Sequence, residues 1–259
     1  MLKTSIKTFP AGYQQLQYIQ SDGSAYMDPG VKFGSDIDFE IKLSCEGMTS
    51  SSTEYGIFGA YEWVYPSSGS KYIKSLYVSI NNVGGGMGLD RFTLWLHYGD
   101  ITTETWSVTL PKSEVHTLAL KNKVVYLNGE EVHTFTQDIT MNTNGYIFAV
   151  NGAGSLMYKA GATIHYLKLW KAGKLVGEYY PMRRSSDSGI GFYDSSKPEN
   201  PFVGSADPTQ TFTAGPNVGA NTVRKIYTKY NGEMVTVKKM YTTSGGHKDN
   251  PVLIFESEE

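Results

Sequence analysis

The stretch Val124-Val-Tyr-Leu-Asn-Gly-Glu-Glu-Val-His-Thr-Phe135 contains the strongest local indication of the fold. Asn128-Gly129 separates two short runs that are rich in β-branched and aromatic residues. Asn-Gly favours a two-residue hairpin turn because both turn residues must adopt positive φ. A second turn of this kind is predicted at Lys171-Ala-Gly-Lys174, between Ile164–Trp170 and Leu175–Tyr180. Both turns predict antiparallel strands.

Strict alternation of apolar and polar residues extends the β pattern to both sides of the hairpin. The clearest example is Ile37-Asp-Phe-Glu-Ile-Lys-Leu43, which is typical of a strand with one buried face. The same period of two occurs in Leu76–Ile80, Phe92–Tyr98 and Val115–Leu120. No segment keeps a helical period for three turns. The chain is therefore predicted to be all-β, with short antiparallel strands in a β-sandwich or barrel.

Composition and charge exclude several classes of protein. The 259 residues include 13% aromatic and only 19% charged residues, which is opposite to the composition of a disordered chain. The formal net charge of −2 provides no basic surface for nucleic acid or an anionic membrane. Cys45 is the single cysteine, so neither an internal disulfide nor a thiolate zinc site can form.

Targeting signals are also missing from the sequence. Met1–Phe9 has no apolar core of the kind that a secretory signal needs. No stretch approaches the roughly 18 to 20 apolar residues of a membrane-spanning helix. We therefore expect a protein that is made in the cytoplasm, does not insert into membranes and does not bind nucleic acid.

The Gly-, Asn- and Pro-containing stretch Ala214–Asn221 indicates a boundary between two unequal parts of the chain. Beyond it, Lys225-Ile-Tyr-Thr228 is repeated as Lys239-Met-Tyr-Thr242, and Val252–Phe255 is one more apolar run. Each copy is interpreted as a short strand followed by a turn. A β-hairpin module of this size is marginal alone, so it is expected to serve attachment or oligomerisation. The predicted organisation is an N-terminal arm (1–9), a large domain (10–215), a linker (216–222) and a C-terminal β-repeat module (223–259).

Several motifs, taken together and in order, resemble those of a known family. The opening segment is Pro10-Ala-Gly-Tyr-Gln-Gln-Leu-Gln-Tyr-Ile-Gln-Ser-Asp-Gly-Ser-Ala-Tyr-Met-Asp28, and the closing segments are Leu175–Arg184 and Gly189–Asp194. Between and after them lie Tyr55–Ala60, Val124–Gly129, Ile147–Asn151, Leu167–Trp170 and Thr211–Gly215. The set resembles the concanavalin A-like (laminin-G-like) jelly-roll domains that are common in bacteriophage virion proteins and gut-bacterial surface proteins. The tail repeat is similar to Lys-Lys-Ile-Tyr-type repeats at the ends of phage structural proteins.

This resemblance implies a jelly roll of two packed antiparallel sheets, followed by a small C-terminal β-hairpin module. It also implies a virion structural protein, in a tail, a fibre or a capsid decoration, whose partners are other virion proteins. A homotrimer is expected by analogy. The family binds glycans or decorates particles, but it has no universally shared ligand residues, so no site can be transferred residue by residue.

The best candidates for ligand contact are aromatic residues of a Pro- and Ser-rich loop, which is predicted to contain Trp63 and Tyr65, with Tyr61 just before it and Tyr72 just after. The predicted glycan site consists of Trp63, Tyr65, Tyr72 and Asn151, and Asn81 and Asn82 are further polar candidates. A pyranose presents an apolar C–H face to an aromatic ring, while its hydroxyls need amides or carboxylates nearby. The alternative is that these rings pack the sandwich or fill a contact between subunits. The other tryptophans are expected in the core: Trp95, Trp106 and Trp170.

The first hypothesis is a non-catalytic virion protein that binds host or environmental glycans, and the second is a purely structural decoration protein without glycan binding. A third, a glucanase-like hydrolase, rests on Asp36-Ile-Asp-Phe-Glu40. Alternating carboxylates on one strand face serve as nucleophile, helper and general acid in jelly-roll glucanases. Here the first carboxylate belongs to the shorter Asp, which would misplace a nucleophile. The preferred interpretation is a strand whose charges face water, so no catalytic residue and no enzyme activity are predicted. The five histidines are not spaced like a set of metal ligands. Asp and Asn residues in loops are suitable ligands for a structural calcium ion, although the sequence has no EF-hand pattern.

Overall fold

The computed structural model describes residues 9–45, 54–68, 70–82, 91–99, 104–157, 161–218, 224–230 and 233–239. The regular elements in these ranges are all β-strands, which confirms the prediction of an all-β chain. None of these residues belongs to a helix that could cross a membrane. The chain divides into two compact units, Met1–Pro216 and Asn217–Glu259.

The strands of the first unit are short and follow one another closely. In chain order they are β1 (Tyr13–Gln15), β2 (Ile19–Gln20), β3 (Lys32–Gly34), β4 (Ile37–Ser44), β5 (Glu54–Val64), β6 (Tyr72–Asn82), β7 (Arg91–Gly99), β8 (Glu104–Pro111), β9 (His116–Lys121), β10 (Val124–Leu127), β11 (Glu130–Thr134), β12 (Thr140–Asn144), β13 (Tyr146–Ile147), β14 (Val150–Gly152), β15 (Ser155–Met157), β16 (Thr163–Lys171), β17 (Lys174–Arg184), β18 (Ile190–Asp194), β19 (Phe202–Val203) and β20 (Thr213–Ala214).

The larger sheet has eleven strands, and β4 lies near its centre. Its main order is β11-β10-β9-β4-β16-β17-β18-β19, while β1 pairs with β17 and β2 joins β16 to β20. The predicted alternation of β4 is confirmed, because its apolar side chains are at most 1% exposed while the charged residues between them are not buried. The four apolar side chains are Ile37, Phe39, Ile41 and Leu43.

The second large sheet has seven strands in the order β15-β14-β5-β6-β7-β8, with β13 also paired to β5. Its pairs are antiparallel except for β14 with β5. Leu76, Val78 and Ile80 of β6 are fully buried, as are Leu94 and Leu96 of β7. Each strand therefore directs one face of alternating residues into the core.

The two large sheets share one hydrophobic core, as two packed layers of a β-sandwich do. Phe39 of β4 and Phe58 of β5 join them, with ring centroids 5.1 Å apart in an edge contact. Phe33 of β3 contacts the same Phe58 ring at 5.0 Å. Tyr98 of β7 stacks on Phe135 at 4.7 Å, which adds a second aromatic contact to this core.

Two-residue turns with positive φ at both positions connect three strand pairs of the larger sheet. Asn128-Gly129 (φ 52° and 90°) joins β10 to β11, and Ala172-Gly173 (φ 48° and 73°) joins β16 to β17, so both predicted turns are confirmed. Asn122-Lys123 (φ 50° and 67°) joins β9 to β10 in the same way. This third turn was not predicted, because lysine replaces the usual glycine at its second position.

The prediction that three tryptophans lie in the core is wrong for Trp95 and Trp170. Both are only half-buried, because Leu96 and Leu169, their neighbours along β7 and β16, occupy the inward positions. Side chains alternate along a strand, so these tryptophans lie on the outer faces of the two sheets. Trp106 of β8 is partly buried and packs against the core.

In the second unit, strands β21 (Arg224–Tyr230) and β22 (Glu233–Lys239) pair antiparallel, from Arg224 opposite Lys239 to Tyr230 opposite Glu233. The sequence repeat predicts a second strand at Lys239–Thr242. The strand that pairs with the first copy is β22, which ends at Lys239. Met240–Thr242 and Val252–Phe255 lie outside the described residues.

Of the predicted N-terminal arm, the structure describes Phe9. The Phe9 ring contacts Tyr180 and Tyr193 edge-on, with both ring centroids at 5.4 Å. This end of the arm therefore lies against β17 and β18 of the larger sheet.

Candidate ligand-binding face

Three adjacent strands of the seven-stranded sheet carry aromatic side chains on the face opposite the core. These side chains, which we call the outer aromatic row, are Trp63 and Tyr61 of β5, Tyr77 of β6, and His97 and Trp95 of β7. The residues between them along each strand are directed inward, and β-strand side chains alternate. The register places Tyr77 directly opposite His97.

The rings of the row contact one another in succession. The centroid distances are 6.5 Å for Trp63–Tyr61, 6.2 Å for Tyr61–Tyr77, 4.2 Å for Tyr77–His97 and 6.1 Å for His97–Trp95. Tyr77 and His97 are nearly parallel, at 13°. Mutual packing of this kind restricts ring rotation, and it turns the faces of Tyr77 and His97 toward each other, so the facing sides of these two rings are covered.

The row crosses the sheet diagonally rather than along one strand. Gly59 of β5 lies opposite Tyr77, and Tyr77 lies opposite His97. Gly59 and His97 therefore lie at the same level of the sheet, and β5 and β7 run in the same direction. Trp63 is four residues beyond this level, and Trp95 is two residues before it. The two tryptophans are thus offset by about six residue positions, or about 20 Å along the strands.

The exposure of the row differs along its length. Trp63 is 38% exposed, Tyr61 is 8% exposed, and the other three rings are half-buried. Beneath the rings lie two buried serines, Ser75 and Ser79. The Ser79 Oγ is within hydrogen-bond distance of His97 Nε2, at 3.2 Å. The row therefore combines apolar ring surface with polar groups at its centre.

Gly59 allows β5 and β6 to approach each other closely beside the row. Its φ is +128°, and a Cβ added there would lie 2.4 Å from both Leu76 O and Tyr77 Cα. A β-bulge between Gly56 and Phe58 lies just before it. A bulge re-aims the following side chains, so Gly59 and the bulge together determine which residues of β5 lie outward.

The structure places the four predicted site residues in different environments. Trp63 lies within β5, not in the loop, so that part of the prediction is wrong. Tyr65 follows the end of β5 and is 73% exposed. Tyr72 lies opposite Val64, whereas Trp63 lies opposite Ile73, so Tyr72 and Trp63 are on opposite faces of the sheet.

Asn151 is also separate from the row. It is 95% buried in β14, since its exposed fraction is 5%, and its Oδ1 accepts a hydrogen bond from the Gly154 N–H at 2.8 Å. This contact holds the turn between β14 and β15. Of the predicted polar residues, Asn81 lies on β6 at the same face as Tyr77, and its buried Oδ1 has no hydrogen-bond partner among the described residues. The side chain of Asn82 lies outside the described residues.

Tyr77, His97 and Trp95 are not among the candidates that the sequence predicts for ligand contact. The signal was present in the sequence, since Trp95 and His97 are two residues apart in an alternating strand whose leucines occupy the other positions. Aromatic residues at both polar positions of such a strand indicate an outward aromatic surface rather than a core.

Of the carboxylates of the glucanase-like motif, Asp38 and Glu40 lie on the outer face of the other sheet and Asp36 lies in the turn before β4, and each has a partner. Lys171 Nζ lies 3.0 Å from Asp36, the Asn122 N–H donates to Asp38 at 2.7 Å, and the Tyr166 hydroxyl donates to Glu40 at 2.9 Å. Burial raises the pKa of Tyr166, and the hydrogen bond to Glu40 raises it further. Each of the three carboxylates therefore has an ion-pair or hydrogen-bond partner in the structure.

No group of three metal-ligating side chains occurs among the residues that the structure describes. Cys45 is buried as a free thiol, and burial raises the pKa of that thiol, with Lys112 acting weakly in the opposite direction. A thiol of this kind remains protonated and contributes to the core as a small apolar residue.

No protein-family model matches the chain, and a search of curated proteins gives no match either.

Proposed function

We propose that the chain is a non-catalytic virion structural protein whose lectin-like, concanavalin A-like jelly roll binds surface glycans. The observation that carries this proposal is the outer aromatic row, five rings in unbroken contact on an outer sheet face. Sugar rings bind to such surfaces because their C–H faces are apolar while their edges carry hydroxyls. Trp63, at 38% exposure, is the most accessible ring of the row.

Polar groups for sugar hydroxyls lie next to these rings. The imidazole of His97 is part of the row and reaches Ser79. Asn81 lies on the same face of β6 as Tyr77, and its half-buried side-chain amide is a further polar group for a sugar hydroxyl.

The role in a virion rests on the resemblance of the quoted motifs to bacteriophage domains. The same resemblance underlies the proposed location in a tail, a fibre or a capsid decoration, and the proposed trimer. The C-terminal hairpin supports an attachment role, since a two-stranded hairpin is marginally stable by itself and gains from pairing with a neighbour. Other virion proteins are the proposed partners of this module.

A glycan array that includes host surface polysaccharides tests the proposal. The wild-type protein is expected to bind, and Trp63→Ala is expected to weaken binding about tenfold through the loss of a stacking surface. Trp170→Ala is the matched control, because Trp170 is a half-buried tryptophan on the outer face of the other sheet. Binding to no glycan would show a purely structural decoration protein instead. Release of reducing ends from β-glucan that is lost in Glu40→Gln would contradict the non-catalytic role.

A further inference from the structure

Two cations flank the outer aromatic row. Lys71 Nζ lies 4.6 Å from the centroid of the Trp63 ring, at one end. Arg91 is four residues before Trp95 on the same face of β7, and its guanidinium donates to Thr109 O at 3.1 Å. The row and its cations extend from Trp63 to Arg91 over about ten residue positions, or about 33 Å along the strands.

The carboxylates that the structure describes near this row are directed elsewhere. Glu62 of β5 accepts hydrogen bonds from the Asn142 N–H at 3.2 Å and from the Thr143 hydroxyl at 2.8 Å. Glu104 of β8 accepts one from the Thr136 N–H at 3.0 Å. Among the described side chains of β5 to β8, the row thus has basic and no acidic neighbours, in a chain whose net charge is −2.

We propose that the ligand of this face is an extended, negatively charged polysaccharide. Its sugar rings pack along the outer aromatic row, on the parts of these rings that their neighbours leave uncovered, and its carboxylate, sulfate or phosphate groups reach Lys71 and Arg91. The length of the row exceeds a single sugar, so binding uses several consecutive units within a chain rather than one terminal residue. This inference rests on the proposed function and specifies its ligand class.

The neighbours of the row favour a polysaccharide over other anionic chains. The half-buried hydroxyls of Thr93 and Thr109, 3.3 Å apart, lie beside Trp95 on the same face, and hydroxyl groups suit the edges of sugars. A single-stranded nucleic acid has a phosphate at every unit and is normally bound in a continuous basic groove, whereas this row has a cation at each end. A single-stranded DNA oligonucleotide is therefore included in the test as a competitor class.

The first experiment is an array of neutral, carboxylated, sulfated and phosphorylated polysaccharides, probed with the full chain. The strongest binder is expected to be anionic, and its affinity is expected to fall with added salt, because exposed charges are screened. A neutral polysaccharide that binds equally well, in a Trp63-dependent way, would overturn the inference and leave the proposed function intact. Binding to no glycan would overturn both, and tighter binding to the DNA oligonucleotide would assign the face to nucleic acid.

The second experiment measures affinity by calorimetry for the strongest binder, cut into fragments of increasing length. Affinity is expected to rise with length well beyond the disaccharide, and Trp95→Ala is expected to remove the gain of the longer fragments only. Lys71→Gln and Arg91→Gln should each weaken binding about threefold, as for exposed ion pairs. Lys174→Gln, in the exposed turn of the other sheet, is the control. Equal affinity for all lengths, or unchanged affinity in both charge variants, would refute the inference.

Discussion

At the residue scale, His165 shows how burial determines the chemistry of one side chain. Its Nδ1–H donates to Gln17 O at 3.1 Å, while its Nε2 is buried with no hydrogen-bond partner among the described residues. Burial lowers the pKa of His165, and nearby Lys42 lowers it further, against a smaller opposite effect of the Gln17 bond. A proton on Nε2 would be a buried donor without an acceptor, which disfavours the charged form.

We predict that His165 makes the protein less stable as the pH falls below about 6.5, the value for an unfolded histidine. The folded pKa lies below the unfolded one, so in this window the unfolded state binds more protons. Stability therefore rises with pH between the two values. The test compares the free energy of unfolding at neutral and mildly acidic pH in the wild type and in His165→Phe. The variant should lose part of this pH dependence; an unchanged slope would contradict the prediction.

At the element scale, two turns of the same geometry differ in their first residue. Asn128 has φ 52° and Ala172 has φ 48°, and each is followed by glycine. Asparagine enters this left-handed region readily, whereas alanine is strained there by its Cβ. Asn128 also accepts a hydrogen bond from the Thr117 N–H at 2.9 Å through its side chain. The turn at Ala172 lacks this side-chain oxygen.

We predict opposite effects for two reciprocal substitutions. Asn128→Ala should lower the free energy of unfolding by about 1–2 kcal/mol, because it adds strain and removes a hydrogen bond. Ala172→Asn should raise it by about 1 kcal/mol, because it relieves strain. Urea unfolding at constant m-value measures both changes. Ala206→Asn is the control at an exposed alanine with ordinary φ, and an equal gain there would show that the turn is not the cause.

At the scale of the whole first unit, Phe58 makes one of the aromatic contacts that join the two large sheets; Phe92 of β7 with His116 of β9 is another. Phe58 of β5 is fully buried and touches Phe39 of β4 and Phe33 of β3. Neither sheet can keep its buried face without the other, since each face would otherwise be exposed to water. Loss of this contact should thus affect both sheets together.

We predict that Phe58→Ala lowers the free energy of unfolding by about 3–5 kcal/mol, through lost burial and a residual cavity. Trp63→Ala, five residues later on the outer face of the same strand, should change it far less. Denaturant unfolding followed by far-UV circular dichroism and by tryptophan fluorescence measures the change. A loss below about 1 kcal/mol in Phe58→Ala would show that the two sheets do not depend on this contact.

Much of the fold could be predicted from local sequence, but the site could be predicted only in part. The alternation of Ile37–Leu43 and the turn at Asn128-Gly129 were sufficient for strands and hairpins, since both signals act over a few residues. Trp63 was recognised as a ligand candidate from its type and its neighbours. Three of its partners in the row, Tyr77, His97 and Trp95, come from other strands, and strand pairing depends on contacts that are distant in sequence. The separation of Tyr72 from Trp63 depends on the register of β5 and β6 in the same way.

The sequence by itself determined an all-β chain, its buried strand faces and two of its tight turns, because side-chain period and turn geometry are local properties of the backbone. Only the tertiary structure decided that Trp63, Tyr61, Tyr77, His97 and Trp95 form one row between Lys71 and Arg91. The reason is that a shift of one residue in strand register moves every side chain to the other face. The bulge before Gly59 and the pairing of β5, β6 and β7 determine that register.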